Sequence, residues 1–378
     1  MISKRNAIFP IIAFTPFFLS CSPARLPGDL KQREQITTST ADTGFLESLL
    51  AANPQYFAQI LSNRKNMNVQ IIYTKINRNK NGMAILKNYN FNIDTGHYFY
   101  PASTVKLPVV LLALQKLNEL KDKQIDRNTT MLTGTTFSGQ SAVFNDPTTP
   151  DGKPCIAQYI KKILMVSDND AFNRLYEFLG QEYINTELKK KGYANVEILH
   201  RLNIFLSEEE NRNTNPVTFY NNNYNVLNQQ KGQRSNIKYA VRKDSMGNAY
   251  YSAGRLVNSP MDFSRKNRLT LPDLHKMLLS VVMPDKVQPR QRFNITEDDR
   301  QFVLKYMSQY PTESTYPPYS ADTVDYWPAY CKFLLFGASK EKPPANIRIF
   351  NKVGDAYGQM IDVAYIVDYK NNIEFFLS

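Results

Sequence analysis

The fold is decided around the stretch YPASTVKLPVVLLALQKLNEL, residues 100–120, in which a short polar segment leads into a strongly apolar run. The run over 107–120 predicts a helix, although Pro108 removes one backbone donor near its start. Ser103 stands where this helix begins, and Lys106 follows one turn later on the same face. An unprotonated Lys106 amine can take the hydroxyl proton of Ser103 and so activate an otherwise weak nucleophile.

Two later motifs carry polar side chains that fit the same chemistry. Ser167-Asp168-Asn169 lies between an amphipathic helix and a helix start, a place where these residue types also serve as N-caps. The segment Lys352-Val353-Gly354-Asp355 leads into a strand. A lysine there can hold a substrate carboxylate, and a glycine lets a backbone approach closely. Each motif alone is common, but the three in this order indicate one site.

Together the motifs resemble the Ser-x-x-Lys, Ser-Asp-Asn and Lys-Thr-Gly set of the class A serine β-lactamases and penicillin-binding proteins. The residues around the first two motifs, 100–106 and 165–171, are also similar to that family. The resemblance implies an α/β fold in which helices flank an antiparallel sheet and an all-helical subdomain is inserted. It implies a serine hydrolase that opens a β-lactam amide, with no cofactor and no metal.

The resemblance assigns catalytic roles to four positions. Ser103 is the nucleophile, and Lys106 is its general base or proton relay. Ser167 passes the proton to the departing nitrogen. Asn169 positions both the substrate amide and Lys106. A D,D-peptidase or other penicillin-binding enzyme, and a sensor that is acylated but not released, use the same groups, so these activities remain alternatives.

The substrate-binding positions follow from the same resemblance and include one departure. The resemblance implies that Lys352 binds the substrate carboxylate and that the N–H groups of Ser103 and Asp355 form the oxyanion hole. Gly354, which lets a backbone approach closely, is placed with them among the substrate-binding residues. Val353 stands where the family has Thr or Ser. The missing hydroxyl removes a hydrogen bond to a charged group, which is worth about 1.5–3 kcal/mol, so the preferred substrate can differ and a protein that is not acylated at all is a further alternative.

The second departure concerns the base that releases the acyl group. Class A enzymes carry it in a loop that resembles Arg-x-Glu-Pro-x-Leu-Asn, and the nearest match here is His200-Arg201-Leu202-Asn203. Asn203 then stands where the glutamate is expected, and an amide cannot act as a base. The run Glu208-Glu209-Glu210 lies downstream and is more typical of a solvated turn. We therefore expect slow release of the acyl group.

The predicted elements give one catalytic domain over 45–378. Strands are expected over 69–74, 84–93, 347–350, 360–368 and 373–377, and helices over 45–61, 107–120, 156–164, 171–179, 183–191, 269–282 and 296–307. An Asn- and Tyr-rich insertion at about 201–265 is expected to hold a hairpin near Met246-Gly247-Asn248. The chain stops inside an apolar strand, which suggests that a C-terminal helix follows in the complete protein.

The N-terminus resembles an export signal. Lys4 and Arg5 precede an apolar run that ends in Ser20-Cys21, the order found in secretory signals. A cysteine in this place predicts a lipoprotein signal over 1–20 with a lipid anchor on Cys21, although Phe18 departs from that pattern. The polar segment 21–44 reads as a tether. These features predict an exported, periplasmic or membrane-anchored protein.

Composition narrows the remaining function classes. The net charge is +12, but no basic-aromatic stripe favours nucleic acid as a partner, and we expect a monomer that binds a small β-lactam or cell-wall peptide. The three histidines, His97, His200 and His275, form no close ligand pair, which argues against a zinc hydrolase. A Ser-His-Asp triad remains open because its members need not be neighbours. Cys155 and Cys331 are expected to be separate thiols.

Overall fold

The computed structural model describes residues 44–319 and 324–378. The proposed signal over 1–20, Cys21 and the tether up to residue 43 lie outside these ranges. The α-helices are α1 Gly44–Ala51, α2 Pro54–Asn63, α3 Lys106–Glu119, α4 Ile156–Val166, α5 Asn169–Leu179, α6 Gln181–Lys190, α7 Glu208–Arg212, α8 Leu271–Val282 and α9 Glu297–Ser308, with a short helical turn at Phe333–Phe336. No helix in this part of the chain is long and apolar enough to cross a bilayer.

A five-stranded antiparallel sheet joins the two ends of the described chain. Its strands are β1 Ile71–Arg78, β2 Ala84–Phe91, β10 Ile347–Ala356, β11 Gln359–Asp368 and β12 Ile373–Leu377, in the order β10-β11-β12-β1-β2. Tyr73 lies opposite Leu377 where β1 meets β12. The sheet, with helices packed against it, confirms the predicted mixed α/β architecture.

The predicted core helix is α3, and its burial explains its composition. Every residue from Lys106 to Gln115 is buried, and the helix packs against α4, α5, α6 and α8. A helix that is apolar on all sides is stable only inside a core. The core therefore holds the N-terminal end of α3 in place, and the residues at that end are held in place with it.

The inserted subdomain is not all-helical, contrary to the prediction. It contains a second antiparallel sheet of β3 Thr130–Thr133, β4 Val217–Tyr220 and β5 Val226–Gln230, in the order β3-β4-β5. These strands are four or five residues long, and β5 is polar for most of its length. Such short strands show too little alternation to be distinguished from loops by their sequence.

The segment 201–265 falls into two parts. Its first part forms α7, β4 and β5, which belong to the subdomain just described. Its second part is a ribbon in which β6 Ser245–Met246 pairs with β9 Met261–Asp262 and β7 Tyr250–Ser252 pairs with β8 Arg255–Val257. The hairpin turn lies at Ala253-Gly254 rather than near Gly247, because both turn residues have the positive φ that a two-residue hairpin needs.

The helical segment predicted over 45–61 is divided into α1 and α2. Pro54 opens α2, and a proline is accepted at a first helical turn but not inside a helix. Both helices pack on β2, where Leu46, Leu50 and Phe91 form a small apolar cluster.

Candidate functional site

Ser103 lies in a 3₁₀ turn, Ala102–Val105, that runs directly into α3. Lys106 is the first residue of α3, so its side chain folds back over this turn, and its Nζ lies 2.9 Å from Ser103 Oγ. Pro108 is in the first turn of α3, where a missing N–H is tolerated. The predicted pairing of the hydroxyl with the amine is present in the structure.

The second motif reaches the same amine from the opposite side. Ser167 ends α4 in a left-handed conformation, and Asp168 begins α5 by accepting a hydrogen bond from the N–H of Ala171. This tight junction turns Asn169 toward Lys106, whose Nζ donates to Asn169 Oδ1 at 2.7 Å. The same Nζ also donates to the carbonyl oxygen of Ser167 and, at 3.2 Å, to its Oγ.

The third motif closes the site from β10. Lys352 Nζ donates to Ser167 Oγ at 2.8 Å and to the carbonyl of Val353 at 2.8 Å. Ser167 Oγ therefore lies between two lysine amines that come from elements 246 positions apart in the chain (352 − 106). The structure brings the hydroxyls of Ser103 and Ser167, both amines and the Asn169 amide into one group.

Gly354 permits the closest approach in the site. A Cβ at this position would lie 2.7 Å from the carbonyl oxygen of Pro101 and 3.1 Å from the backbone nitrogen of Ser103. Strand β10 thus runs directly against the turn that carries Ser103, with Asp355 exposed at the next position. Val353 is 3 % exposed and pairs with Asp362 of β11, so its apolar side chain is packed inside the protein.

Burial shifts the charges of both lysines. Lys106 is fully buried, and desolvation together with the nearby Lys352 ammonium lowers its pKa well below the ordinary value of a lysine. Burial also lowers the pKa of Lys352 to about 8. A neutral Lys106 amine can accept a proton, and a Lys352 that is still largely charged near neutral pH can attract a carboxylate. The two amines are therefore suited to different tasks.

The loop expected to supply a deacylating base is held by buried contacts that the sequence analysis missed. Arg201 Nε donates to Glu177 Oε1 at 3.0 Å, and the Asn173 amide bonds both the N–H and the carbonyl of Leu202. Glu177 is thus occupied as a counter-ion. In the sequence, this role of Asn173 was indicated only by its position four residues after Asn169, which places both side chains on the same face of α5.

Asn203 follows these anchored residues and lines a cavity of about 200 Å³ together with Asn169. The three glutamates downstream have other partners. Glu208 pairs with Arg212, Glu209 pairs with Arg234, and Glu210 caps α7 through Ser207. Among the residues that the structure describes, no carboxylate is hydrogen-bonded to Ser103 or Lys106.

A third buried lysine supports β10 and was also missed. Lys332 is 1 % exposed and donates to Asn351 Oδ1 at 2.8 Å, while the Asn351 amide donates to both oxygens of Asp362. Burial lowers the pKa of Lys332 to about 8 and raises that of Asp362 to about 6. Because Asn351 precedes Lys352, this chain of contacts fixes the part of β10 that carries Lys352.

The histidines have structural environments instead of catalytic ones. His275 lies between Thr74 and Ser378, His200 stacks on Tyr100, and burial lowers the pKa of each to about 4. His97 is exposed. None of the three bonds Ser103, which argues against the Ser-His-Asp alternative. Cys155 and Cys331 are separate free thiols, as predicted.

The ribbon of the insertion packs beside the site. Phe263 contacts Tyr98 and Tyr100, the residues that lead into the Ser103 turn, and its ring meets that of Tyr357 edge-on. Tyr357 and Gly358 form the turn between β10 and β11 with positive φ at both positions. The insertion is therefore attached to the wall of the site and is not a remote surface feature.

Comparisons with known proteins show the family of the chain. The sequence model of the β-lactamase enzyme family matches residues 53–378. A class A β-lactamase from Clostridium kluyveri is 12 % identical, with 85 % of this chain and 87 % of that chain covered and a TM-score of 0.42. An ancestral class A β-lactamase is 15 % identical over 85 % and 88 % of the two chains, with a TM-score of 0.40.

A third similar structure is a mutant of PBP-A in an acyl-enzyme complex with penicillin G. It is 14 % identical, 82 % of this chain and 79 % of that chain are covered, and the TM-score is 0.39. No curated protein sequence matches the chain.

Proposed function

Because the chain belongs to the β-lactamase enzyme family, we propose that it is a serine hydrolase that is acylated on Ser103 by a β-lactam or a related cell-wall peptide. The observation that carries the proposal is the 2.9 Å contact between Ser103 Oγ and a fully buried lysine amine. Burial and the nearby Lys352 lower the pKa of this amine, which favours the neutral form that can act as a base.

Acylation follows from the arrangement of the polar groups. Ser103 Oγ attacks the carbonyl carbon while its proton passes to Lys106 Nζ. The N–H groups of Ser103 and Asp355 stabilise the oxyanion, and Gly354 allows the two strands of backbone to lie close enough for this. The C–N bond then breaks. Ser167 Oγ, in contact with both lysine amines, delivers the proton to the departing nitrogen.

Lys352 is the group proposed to bind the substrate carboxylate. Its pKa of about 8 keeps it mostly charged at neutral pH, and its contact with Ser167 places the charge beside the leaving nitrogen. Val353 supplies no hydroxyl to share this task. We therefore propose weaker binding of the carboxylate than in enzymes with the full third motif, by about 1.5–3 kcal/mol.

Slow release of the acyl group distinguishes the alternatives. In the part of the chain that the structure describes, Asn203 and Asn169 line the cavity beside α5, and neighbouring Asp170 is paired with Arg174. A water molecule there has no unpaired carboxylate to take its proton. This favours a slow hydrolase, a D,D-peptidase or an acylated sensor over a fast class A β-lactamase.

The proposal is tested by labelling with a fluorescent penicillin. We expect a covalent adduct that mass spectrometry maps to the peptide containing Ser103. A stable adduct indicates a sensor or penicillin-binding enzyme, and loss of label with release of the hydrolysed product indicates a β-lactamase. Absence of any adduct at Ser103 would refute acylation by this class of compound.

Asn203→Glu is expected to accelerate acyl release by at least tenfold, since a positioned general base typically contributes about 10²–10⁴-fold. The reason is that a carboxylate at this position faces the cavity that Asn169 also lines. The rate at which fluorescence is lost from the purified acyl-enzyme measures the effect.

Asn203→Gln is the matched control for this change. Asn203 has a φ of +54°, so both larger residues carry the same backbone cost, roughly 1–2 kcal/mol. The glutamine adds length without basicity. Equal release rates in the two variants would show that the side chain at position 203 does not act as a base in hydrolysis of the acyl-enzyme ester.

We also propose that the protein is exported and anchored through a lipid on Cys21, and that it acts as a monomer. The basic, apolar and small residues before Cys21 support the anchor. Incorporation of a radioactive fatty acid into the protein in cells tests it, and an unlabelled secreted product would exclude it.

A further inference from the structure

A cavity of about 620 Å³ lies outside the group of catalytic residues. It opens between α4, the end of α9 and the first half of β10, and its walls include Lys161, Lys305, Tyr306, Gln309 and Arg348. Neither Ser103 nor any residue that contacts Lys106 lines it. Nothing in the chemistry of acylation accounts for these side chains.

The cavity carries uncompensated positive charge. The Nζ atoms of Lys161 and Lys305 lie 5.4 and 5.3 Å from the centroid of the same Tyr306 ring. Within residues 44–319 and 324–378, no carboxylate forms an ion pair with either amine. Arg348, by contrast, is paired with Glu313 through two contacts of 2.9 Å. Two like charges near one ring repel each other, and an anion in the cavity would relieve this.

Gln309 adds a second observation that points to a ligand. Its Oε1 is buried and has no hydrogen-bond partner, although its Nε2 donates to the carbonyl of Glu313 at 2.8 Å. A buried carbonyl oxygen without a donor costs free energy, so this atom is suited to accept a hydrogen bond from a hydroxyl or amide of a bound molecule.

Aromatic rings supply the rest of the lining. Tyr306, Tyr316, Tyr369 and Phe350 surround the polar groups just described. A ligand whose ring has one apolar face and several hydroxyl groups can pack against this lining, because each tyrosine combines a flat apolar surface with a polar end. A simple inorganic anion satisfies only the charged part of this set of contacts.

We propose that this cavity binds an anionic saccharide. Its carboxylate or phosphate lies near Lys161 and Lys305, a hydroxyl or amide donates to Gln309 Oε1, and its ring packs on the tyrosines. Phe350 and Lys352 are two positions apart on β10, which corresponds to about 7 Å along a strand. A polymer bound in the cavity is therefore held beside the strand that leads to the reactive serine.

The proposal is tested by calorimetric titration of the Ser103→Ala protein, in which binding is separated from turnover. The probes are a galacturonic acid tetrasaccharide, its fully methyl-esterified form, and a sugar phosphate. We expect the acidic tetrasaccharide or the sugar phosphate to bind, with the esterified form at least tenfold weaker. The better of the two acidic probes identifies carboxylate or phosphate as the natural anion.

Variants locate the site. Lys161→Gln combined with Lys305→Gln should weaken binding of the acidic probe about tenfold, and Gln309→Leu should weaken it through the lost acceptor. Lys153→Gln is the matched control, because Lys153 also lies over a tyrosine ring, that of Tyr224, but lines no part of this cavity. Binding unchanged in the double variant, equal binding of the ester, or no binding of any probe would overturn the proposal.

The outcome is independent of the proposed catalytic function. Penicillin labelling of the Lys161→Gln, Lys305→Gln protein with Ser103 intact reports acylation alone. Labelling of the native protein, combined with no saccharide binding to the Ser103→Ala protein, overturns the cavity assignment and leaves the hydrolase proposal in place. Saccharide binding without labelling of the native protein overturns the hydrolase proposal and leaves the cavity assignment in place.

Discussion

Ser103→Ala is expected to abolish covalent labelling by penicillin completely. The alanine variant has no oxygen that can form the ester. The other serine that contacts the Lys106 amine is Ser167, which is assigned to proton transfer in the proposed mechanism. The measurement is the intact mass of the protein after incubation with the penicillin, with the adduct scored as present or absent.

The variant should remain folded, which makes the loss interpretable. The Ser103 side chain has one contact to lose, with Lys106, and the turn that carries it is held by a backbone bond from Thr104 N to the carbonyl of Pro101. Ser62→Ala, at an exposed serine that bonds its own helix, should leave labelling unchanged. An adduct that persists in Ser103→Ala would place the nucleophile elsewhere.

Lys106→Met is expected to slow acylation by about 10²–10⁴-fold, the usual contribution of a general base. Methionine keeps the length of the side chain within the core but cannot accept the proton of Ser103. The rate of adduct formation under single-turnover conditions measures the effect. An unchanged rate would exclude Lys106 as the base.

The pH dependence of the acylation rate distinguishes loss of the base from a change in core packing caused by the substitution. The folded protein lowers the pKa of Lys106, so the neutral, basic form appears at a lower pH than for a free lysine. Acylation of the native protein should therefore rise with pH through this lowered pKa, and the methionine variant should lack that rise. Lys116→Met is the control, since burial also lowers the pKa of Lys116, to about 8, but it lies ten positions further along α3.

The three motifs could be recognised from the sequence because each is a local signal. A helix start, a junction between two helices and a strand edge each have characteristic residues within a few positions. The sequence also showed where the third motif is incomplete, at Val353, and where the expected glutamate is missing, at Asn203. The structure adds that Val353 is buried beneath its neighbours and that Asn203 borders a cavity with Asn169.

Other parts of the site depend on contacts between distant segments. Asn173 holds Leu202, Glu177 holds Arg201, and Lys332 reaches Asn351. In the sequence these are ordinary polar residues of helices and loops. Their importance comes from burial, which makes each unpaired charge or amide costly and therefore requires a partner.

The sequence by itself determined that Ser103, the proposed nucleophile, lies beside Lys106 at the start of an apolar helix, because the spacing of side chains along one turn is set by local backbone geometry. It did not determine the small sheet of β3, β4 and β5, because the paired residues of β3 and β4 are 84–90 positions apart in the chain and these short strands are stabilised only when they pair. The tertiary structure alone decided that Lys352 meets Ser167 and that both lysine pKa values fall. Those properties depend on which groups surround an amine in three dimensions. The groups that desolvate each lysine are distant in the chain, so the residues next to it in the sequence do not show that its pKa is lowered.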